Sequence, residues 1–198
     1  SVLRAQISKT YTNFQLSATL GQLRSIQIFV VGQARQPGVF TVSSLSTFVS
    51  ALFESGGPSV SGSMRNVQLK RDGKVISTID LYQFIRQGDK SADAQLLPGD
   101  VIVIPPAGPR VAVLGAVDTP AIYELKSAQE PMAEVLAYGG GVLSVTTPLK
   151  VLVERIDTSK GRAPRAVEER ALDTAGLRST LRDGDVVTHD RVAVIRLA

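Results

Sequence analysis

The sequence has no cysteine and no tryptophan, only one histidine, and only 5% aromatic residues among its 198 positions. Without thiols the chain forms no disulfides, no thiolate metal site and no cysteine nucleophile, and this absence is compatible with any compartment. With His189 as the sole imidazole, a Ser-His-Asp triad or a multi-histidine metal site has to be assembled around that one residue. A lone histidine near a strand end is ordinarily structural or solvated. Sugar-binding grooves commonly stack rings on aromatic faces, so the scarcity of aromatics argues against a tight lectin-like site. Long apolar runs are also missing. Stretches such as Val101–Ile104 are strand-length, far short of the ~20 residues needed for a membrane-crossing helix. No charged segment followed by an apolar one opens the chain, so no signal peptide is read there.

Charge is only mildly biased: 22 Lys and Arg against 18 Asp and Glu, a net +4. The densest basic stretch, Lys160 to Arg170, is interrupted by Glu168 and Glu169. No basic run with interleaved aromatics forms a nucleic-acid track, so no nucleic-acid partner is expected. What the chain does have is an ordinary globular balance, 43% hydrophobic and 20% charged, with enough apolar side chain to build a core.

The strongest signal is internal repetition. Val30–Phe40 reads VVGQARQPGVF, and Val113–Tyr123 reads VLGAVDTPAIY. Gly32 and Gly115 stand 83 residues apart, and at that offset Pro37 meets Pro120 and Phe40 meets Tyr123. Leu52 then meets Val135, and the Gly pair at 56–57 meets the pair at 139–140. Further on, VQLKR at 67–71 resembles VLVER at 151–155, IDL at 79–81 resembles LDT at 172–174, and Asp100 answers Asp185. A likeness held in phase over this length predicts two copies of one fold. The main departure is a polar insertion between Ile156 and Val167, read as an extended hairpin or loop.

Each copy parses alike. IQIFVVGQ, rich in β-branched residues, predicts a buried strand, RQPG a turn and VFTV the returning strand. SLSTFVSALFESGG predicts a helix, with Ser43 or Ser44 as N-cap, Leu45, Phe48, Val49 and Leu52 on one face, and Gly56 as its stop. NVQLKRDGKVISTIDL predicts a hairpin around Asp72-Gly73, YQFIRQG a short helical turn, and LLPGDVIVIPP a final strand after a Pro-Gly turn. The order strand, strand, helix, strand, strand, short helix, strand is that of a β-grasp arrangement, an α+β fold in which a small mixed sheet cradles one main helix. A copy this short has a small core of its own, so the two are expected to share an interface, joined stiffly through PPAGP at 105–109. Residues 1–25 match neither copy. They read as a helix (VLRAQISKTYT) and an alternating strand (FQLSATLGQL), the remnant of a preceding domain. RVAVIRLA at 191–198 reads as a further strand.

These segments, most specifically from Leu23 to Pro106, resemble the SLBB (soluble-ligand-binding β-grasp) domains of outer-membrane polysaccharide export proteins, the Wza-like family. The second copy is similar but looser: Ala121 replaces the usual turn glycine and the 156–167 insertion departs from the pattern. The resemblance implies three parts: the end of a polysaccharide export domain at 1–25, a first SLBB domain at 26–106 and a second at 110–198. It also implies a periplasmic, outer-membrane-associated protein that oligomerises into a channel for capsular or exopolysaccharide. Its expected partners are further copies of itself, an inner-membrane polysaccharide copolymerase and the polysaccharide in transit. The family supplies no catalytic residues, metal or cofactor. The alternative is a β-grasp module that binds a soluble ligand or oligosaccharide without any channel role.

Gly32 and Gly115 read first as sites of close backbone packing, and second as points of ligand approach. The Gly pairs follow a helix and do not open one, which presents the wrong end of the helix dipole to a phosphate. Glycoside hydrolysis needs paired carboxylates. Asp93, Asp100, Asp183 and Asp185 are the candidates, but they occupy turns, and the last turns recur in both copies, which points to architecture. The DGD at 183–185 lacks the ligand ladder of a Ca²⁺ loop. The candidate saccharide or subunit contacts are Arg35 and Gln36 in the first turn, and Arg65 and Asn66 between a Ser/Gly loop and a strand. The structural reading of the latter pair is that Asn66 satisfies loop backbone groups and Arg65 makes a local ion pair.

Overall fold

Along Ser25–Gly32 the apolar residues Ile26, Ile28 and Val30 are buried while Gln27, Phe29 and Val31 face outward, the two-residue period of a strand with one face on a core. The computed structural model describes residues 9, 24–141, 150–156 and 165–189. The readings made of 1–23 (Lys9 apart), of the insertion's tip and of 191–198 lie outside the described residues. Strand β1 (Ser25–Gly32) turns at Pro37 into antiparallel β2 (Gly38–Ser43). Helix α1 (Phe48–Glu54) follows, then the hairpin β3 (Val67–Arg71) and β4 (Lys74–Ile79), helix α2 (Leu81–Gln87) and strand β5 (Val101–Ile104). The sheet order is β2-β1-β5-β3-β4, with β1 and β5 parallel and the other neighbours antiparallel.

The second copy repeats this: β6 (Arg110–Gly115), β7 (Ala121–Glu124), α3 (Met132–Tyr138), β9 (Lys150–Ile156), β10 (Arg165–Ala171), α4 (Thr174–Arg178) and β12 (Val186–His189). Its sheet runs β7-β6-β12-β9-β10, the same order element for element. Two short strands, β8 (Gln129–Pro131) and β11 (Thr180–Arg182), pair beside α3. The first copy has only a bridge there, Thr47 to Gln95. Two mixed sheets, each holding a helix, make the chain α+β with tandem β-grasp-like units, as the pattern predicted.

Helix α1 buries Phe48, Val49, Ala51 and Leu52 in one core with Ile28, Val30, Leu69, Ile102 and Ile104. Full burial of each of these side chains other than Ala51 contributes about 1.5–3 kcal/mol. The helix starts later than predicted. Ser43 ends β2 and Ser44 lies in the following turn, its amide donating to the Arg24 carbonyl at 2.8 Å. The N-cap is Thr47, whose hydroxyl accepts from the Ser50 amide while the Ser50 hydroxyl accepts from the Thr47 amide, a reciprocal capping box. Leu45 therefore precedes the helix and is 65% exposed, not part of its apolar face. Asp80 and Asp173, matched in the repeat, cap α2 and α4 equivalently. At the predicted Asp-Gly turn both residues take positive φ, 50° for Asp72 and 76° for Gly73, as a two-residue hairpin turn requires.

Gly32 and Gly115 justify their place in the repeat sterically. Both have positive φ, 85° and 87°. A Cβ on Gly32 would lie 2.2 Å from the Ile104 carbonyl oxygen, and one on Gly115 would lie 2.0 Å from that of His189. The close approach lets the next amides, Gln33 and Ala116, donate to those carbonyls at 2.7 and 2.8 Å. Close packing is thus what both glycines provide. His189 is fully buried at the end of β12, which removes the solvated reading.

Candidate functional site in the joint between the copies

The two units meet through polar groups that the sequence does not mark as a set. Glu124, at the end of β7, is 6% exposed. Its Oε1 accepts from the Ser63 hydroxyl and the Gly108 amide, both at 2.8 Å, and its Oε2 accepts from the Met64 amide at 2.7 Å. Its backbone joins in: the carbonyl accepts from Arg65 Nε at 2.6 Å, and the amide donates to the Tyr82 hydroxyl at 3.0 Å. One residue of the second copy thereby satisfies donors from the first copy and from the connecting segment. A buried carboxylate is tolerated where donors surround it in this way.

Arg65 is the counterpart from the first copy. Its side chain is 8% exposed and pairs with Asp80 at 2.8 Å. Its guanidinium lies 4.3 Å from the centre of the Tyr82 ring and 4.6 Å from that of Tyr138, so it is stacked against one ring from each copy. Three of the four tyrosines in the chain gather here. Tyr82 and Tyr138 have ring centres 5.3 Å apart, and Tyr123 lies 6.2 Å from Tyr82 and 6.1 Å from Tyr138. Burial pushes all three phenols above their ordinary pKa, and the Tyr138 hydroxyl also donates to the Glu130 carboxylate. Tyr82 belongs to α2 yet packs on the second core.

Two cavities flank this joint, and Tyr82 lines both. The larger, about 450 Å³, is walled by Arg35, Val60, Met64, Arg110 and Ile122 among others, a size that suits a small molecule or a short sugar segment. Val60 is 95% exposed and Ile122 65%, so its rim is apolar with two cations set into it. The smaller, about 140 Å³, is lined by Arg65, Arg86, Lys126 and Tyr138 with neighbouring polar side chains.

Of the four predicted contacts, Arg35 reaches the larger cavity and Arg65 the smaller. Gln36 is exposed in the turn beyond Arg35, and Asn66 is exposed just before β3. The loop role assigned to Asn66 belongs to Ser63, whose hydroxyl accepts from the Arg65 and Asn66 amides at 3.1 and 3.0 Å. The Asn66 side chain instead accepts from Gln68. Glu124, Ser63 and the tyrosine trio carry no sequence motif. The nearest signal was the departure at Glu124, which faces Thr41 at the repeat's 83-residue offset.

The carboxylates considered for hydrolysis have structural partners. Asp93 accepts from the Val49 amide at 2.9 Å in the first turn of α1, and Asp183 accepts from the Arg110 amide at 2.7 Å. Asp100 and Asp185 each hold an arginine. Among the described residues no group of three or more His, Cys, Asp or Glu side chains is placed to hold a metal, and no helix is long and apolar enough to cross a membrane. The joint offers hydrogen bonds, cations and aromatic faces, the chemistry of binding and assembly.

Fold and joint together define a tandem β-grasp protein whose two copies are bonded to each other through buried polar groups. The chain belongs to the SLBB-domain family: residues 27–104 and 110–164 each match the SLBB domain. Two curated relatives, both the polysialic acid transport protein KpsD of Escherichia coli, are 26% identical to it over 140 residues. That alignment covers 70% of this chain and 25% of each relative, so the chain spans about a quarter of the length of these proteins.

Proposed function

We propose that this chain is the tandem-SLBB part of a polysaccharide export protein: a periplasmic, outer-membrane-associated, non-catalytic component of an oligomeric channel that passes capsular or exopolysaccharide. The observation that carries the reading is the pairing of two SLBB domains with similarity, across most of the chain, to proteins named for polysialic acid transport. The geometry is in keeping with it. Two equivalent sheets in series, bonded at their joint by Glu124, make a stiff spacer suited to a channel wall. Residues 1–25, 26–106 and 110–198 correspond on this reading to the end of an export domain and the two SLBB domains. Further copies of the chain and an inner-membrane copolymerase are its partners.

The test is the native mass of the intact, detergent-extracted protein together with the phenotype of its deletion. A closed ring of many subunits, and polymer trapped within the envelope while synthesis continues, are the expected results. A monomer or dimer, with polymer reaching the surface normally in the deletion strain, would overturn the reading. The second reading, a ligand-binding module without a channel role, is favoured by one observation: the 450 Å³ cleft with Arg35 and Arg110 at its edge. Under that reading a defined oligosaccharide binds saturably and Arg35→Ala with Arg110→Ala removes the binding, while the native mass stays monomeric.

A further inference from the structure

The smaller cavity of the joint has a charge pattern that the fold alone does not require. Arg65 and Arg86 come from the first copy and Lys126 from the second, and all three converge on one ring, that of Tyr138. Their cationic centres lie 4.6, 5.5 and 5.9 Å from its centroid. Three like charges around one ring repel one another, and a quadrupole offsets this only in part. Arg65 has Asp80 as counterion on Nη1, but its Nη2 is buried without a hydrogen bond. Among the described residues Arg86 and Lys126 make no ion pair. The carboxylate of Glu130 is already engaged by the Tyr138 hydroxyl and the Lys126 backbone amide. Donor capacity and positive charge are thus left over at a cavity of about 140 Å³.

The remaining lining narrows what fits. Gln83 and Gln87 bring amides that both donate and accept, suited to the hydroxyls of a sugar. Glu134 also lines the cavity, and its carboxylate repels a dianion such as phosphate more strongly than a monovalent anion. The exposed guanidinium of Arg86, which lines the cavity, matches a planar carboxylate. We propose that this cavity is a binding site for a carboxylate-bearing sugar residue, held by Arg65, Arg86 and Lys126 across the joint between the two copies. The inference rests on the polysaccharide reading above and specifies an acidic polymer as its cargo. Because the ligand touches both copies, binding stabilises their relative arrangement as well as engaging the sugar.

The test is calorimetric titration of the 198-residue chain with D-glucuronate, D-glucose serving as the neutral match. Glucuronate is expected to bind saturably with a Kd of about 1–10 mM, weakening as salt rises because Arg86 and Lys126 are exposed. Glucose is expected not to bind. Arg86 and Lys126 are exposed, so the double variant R86Q/K126Q is expected to keep the unliganded Tm while losing at least about tenfold in affinity. E134Q is expected to tighten glucuronate binding, and it carries the test if the double variant folds poorly. Absent glucuronate binding, equal binding of glucose, or affinity unchanged in R86Q/K126Q and in E134Q overturns the site. These outcomes leave the export reading standing, since that reading falls only on the native mass and the deletion phenotype.

Discussion

Arg71 holds the buried carboxylate of Asp100 in a two-pronged grip, Nε to Oδ1 and Nη2 to Oδ2, each at 2.8 Å. The second copy repeats the grip between Arg155 and Asp185, at 2.8 and 2.6 Å. Each aspartate also accepts a backbone amide from its own turn, Leu97 in one case and Arg182 in the other. The pair ties the hairpin strand to the turn that launches the last strand. It explains why the Pro-Gly-Asp and Asp-Gly-Asp turns recur, and it gives those aspartates a structural role in place of a catalytic one.

Asp100→Asn keeps the volume but removes the charge and one acceptor. The expected loss is about 2–4 kcal/mol, short of the cost for a fully buried pair because Arg71 is partly exposed. Burial alone pushes the Asp100 carboxyl up, but Arg71 and the Leu97 amide outweigh it and hold the group below its ordinary pKa. The folded state therefore gains stability from this group above the unfolded carboxylate pKa of about 3.9. That gain is lost as pH falls through the lower folded value. Thermal melts from neutral to acid pH will show a steep acid limb in the wild type and a flatter one in Asp100→Asn.

Gly32→Ala and Gly115→Ala each place a methyl group against a carbonyl oxygen at a positive φ. Either change should cost about 2–4 kcal/mol, combining backbone strain with displacement of the parallel partner strand. Denaturant unfolding of both variants measures this. Equal losses in the two support the equivalence of the copies.

Glu124→Ala strips the acceptor from Ser63, Met64 and Gly108 at once. Each stranded donor costs about 1–3 kcal/mol if it stays buried, so the joint is expected to open instead. Limited proteolysis should then cut within 105–109 faster than in the wild type, and calorimetry should resolve two melting transitions in place of one. Unchanged cleavage and a single transition would mean that the apolar contacts of Tyr82 suffice.

Arg65→Lys retains the charge but loses the Nε bond to the Glu124 carbonyl and the planar stack on Tyr82 and Tyr138. A loss of about 1–2 kcal/mol is expected, read as a lower Tm at neutral pH. Equal stability of the lysine variant would show that charge alone matters at this position.

Much of the fold was legible because its causes are local. Alternating burial in β1, the Asp72-Gly73 turn and the strain-bearing Gly32 and Gly115 all express short-range sterics, and the repeat states each of them twice. The error at the start of α1 was also local in origin. Ser43 or Ser44 reads as the N-cap, whereas the cap is Thr47, because β2 pairs on through Ser43 and delays the start of the helix. The candidate site was less legible. Arg35 and Arg65 do line cavities, but Gln36 and Asn66 sit outside them, and the loop role expected of Asn66 falls to Ser63.

By itself the sequence determined that this is a duplicated α+β chain of β-grasp type, because periodicity, turn chemistry and a phase-locked repeat are properties of neighbours along the chain. Only the tertiary structure decided what lies between the copies. Glu124 meets Ser63 across 61 positions, and Tyr82 meets Tyr138 across 56. No spacing rule encodes such partners, since they are selected by how two finished surfaces pack and by the cost of leaving their buried polar groups unpaired.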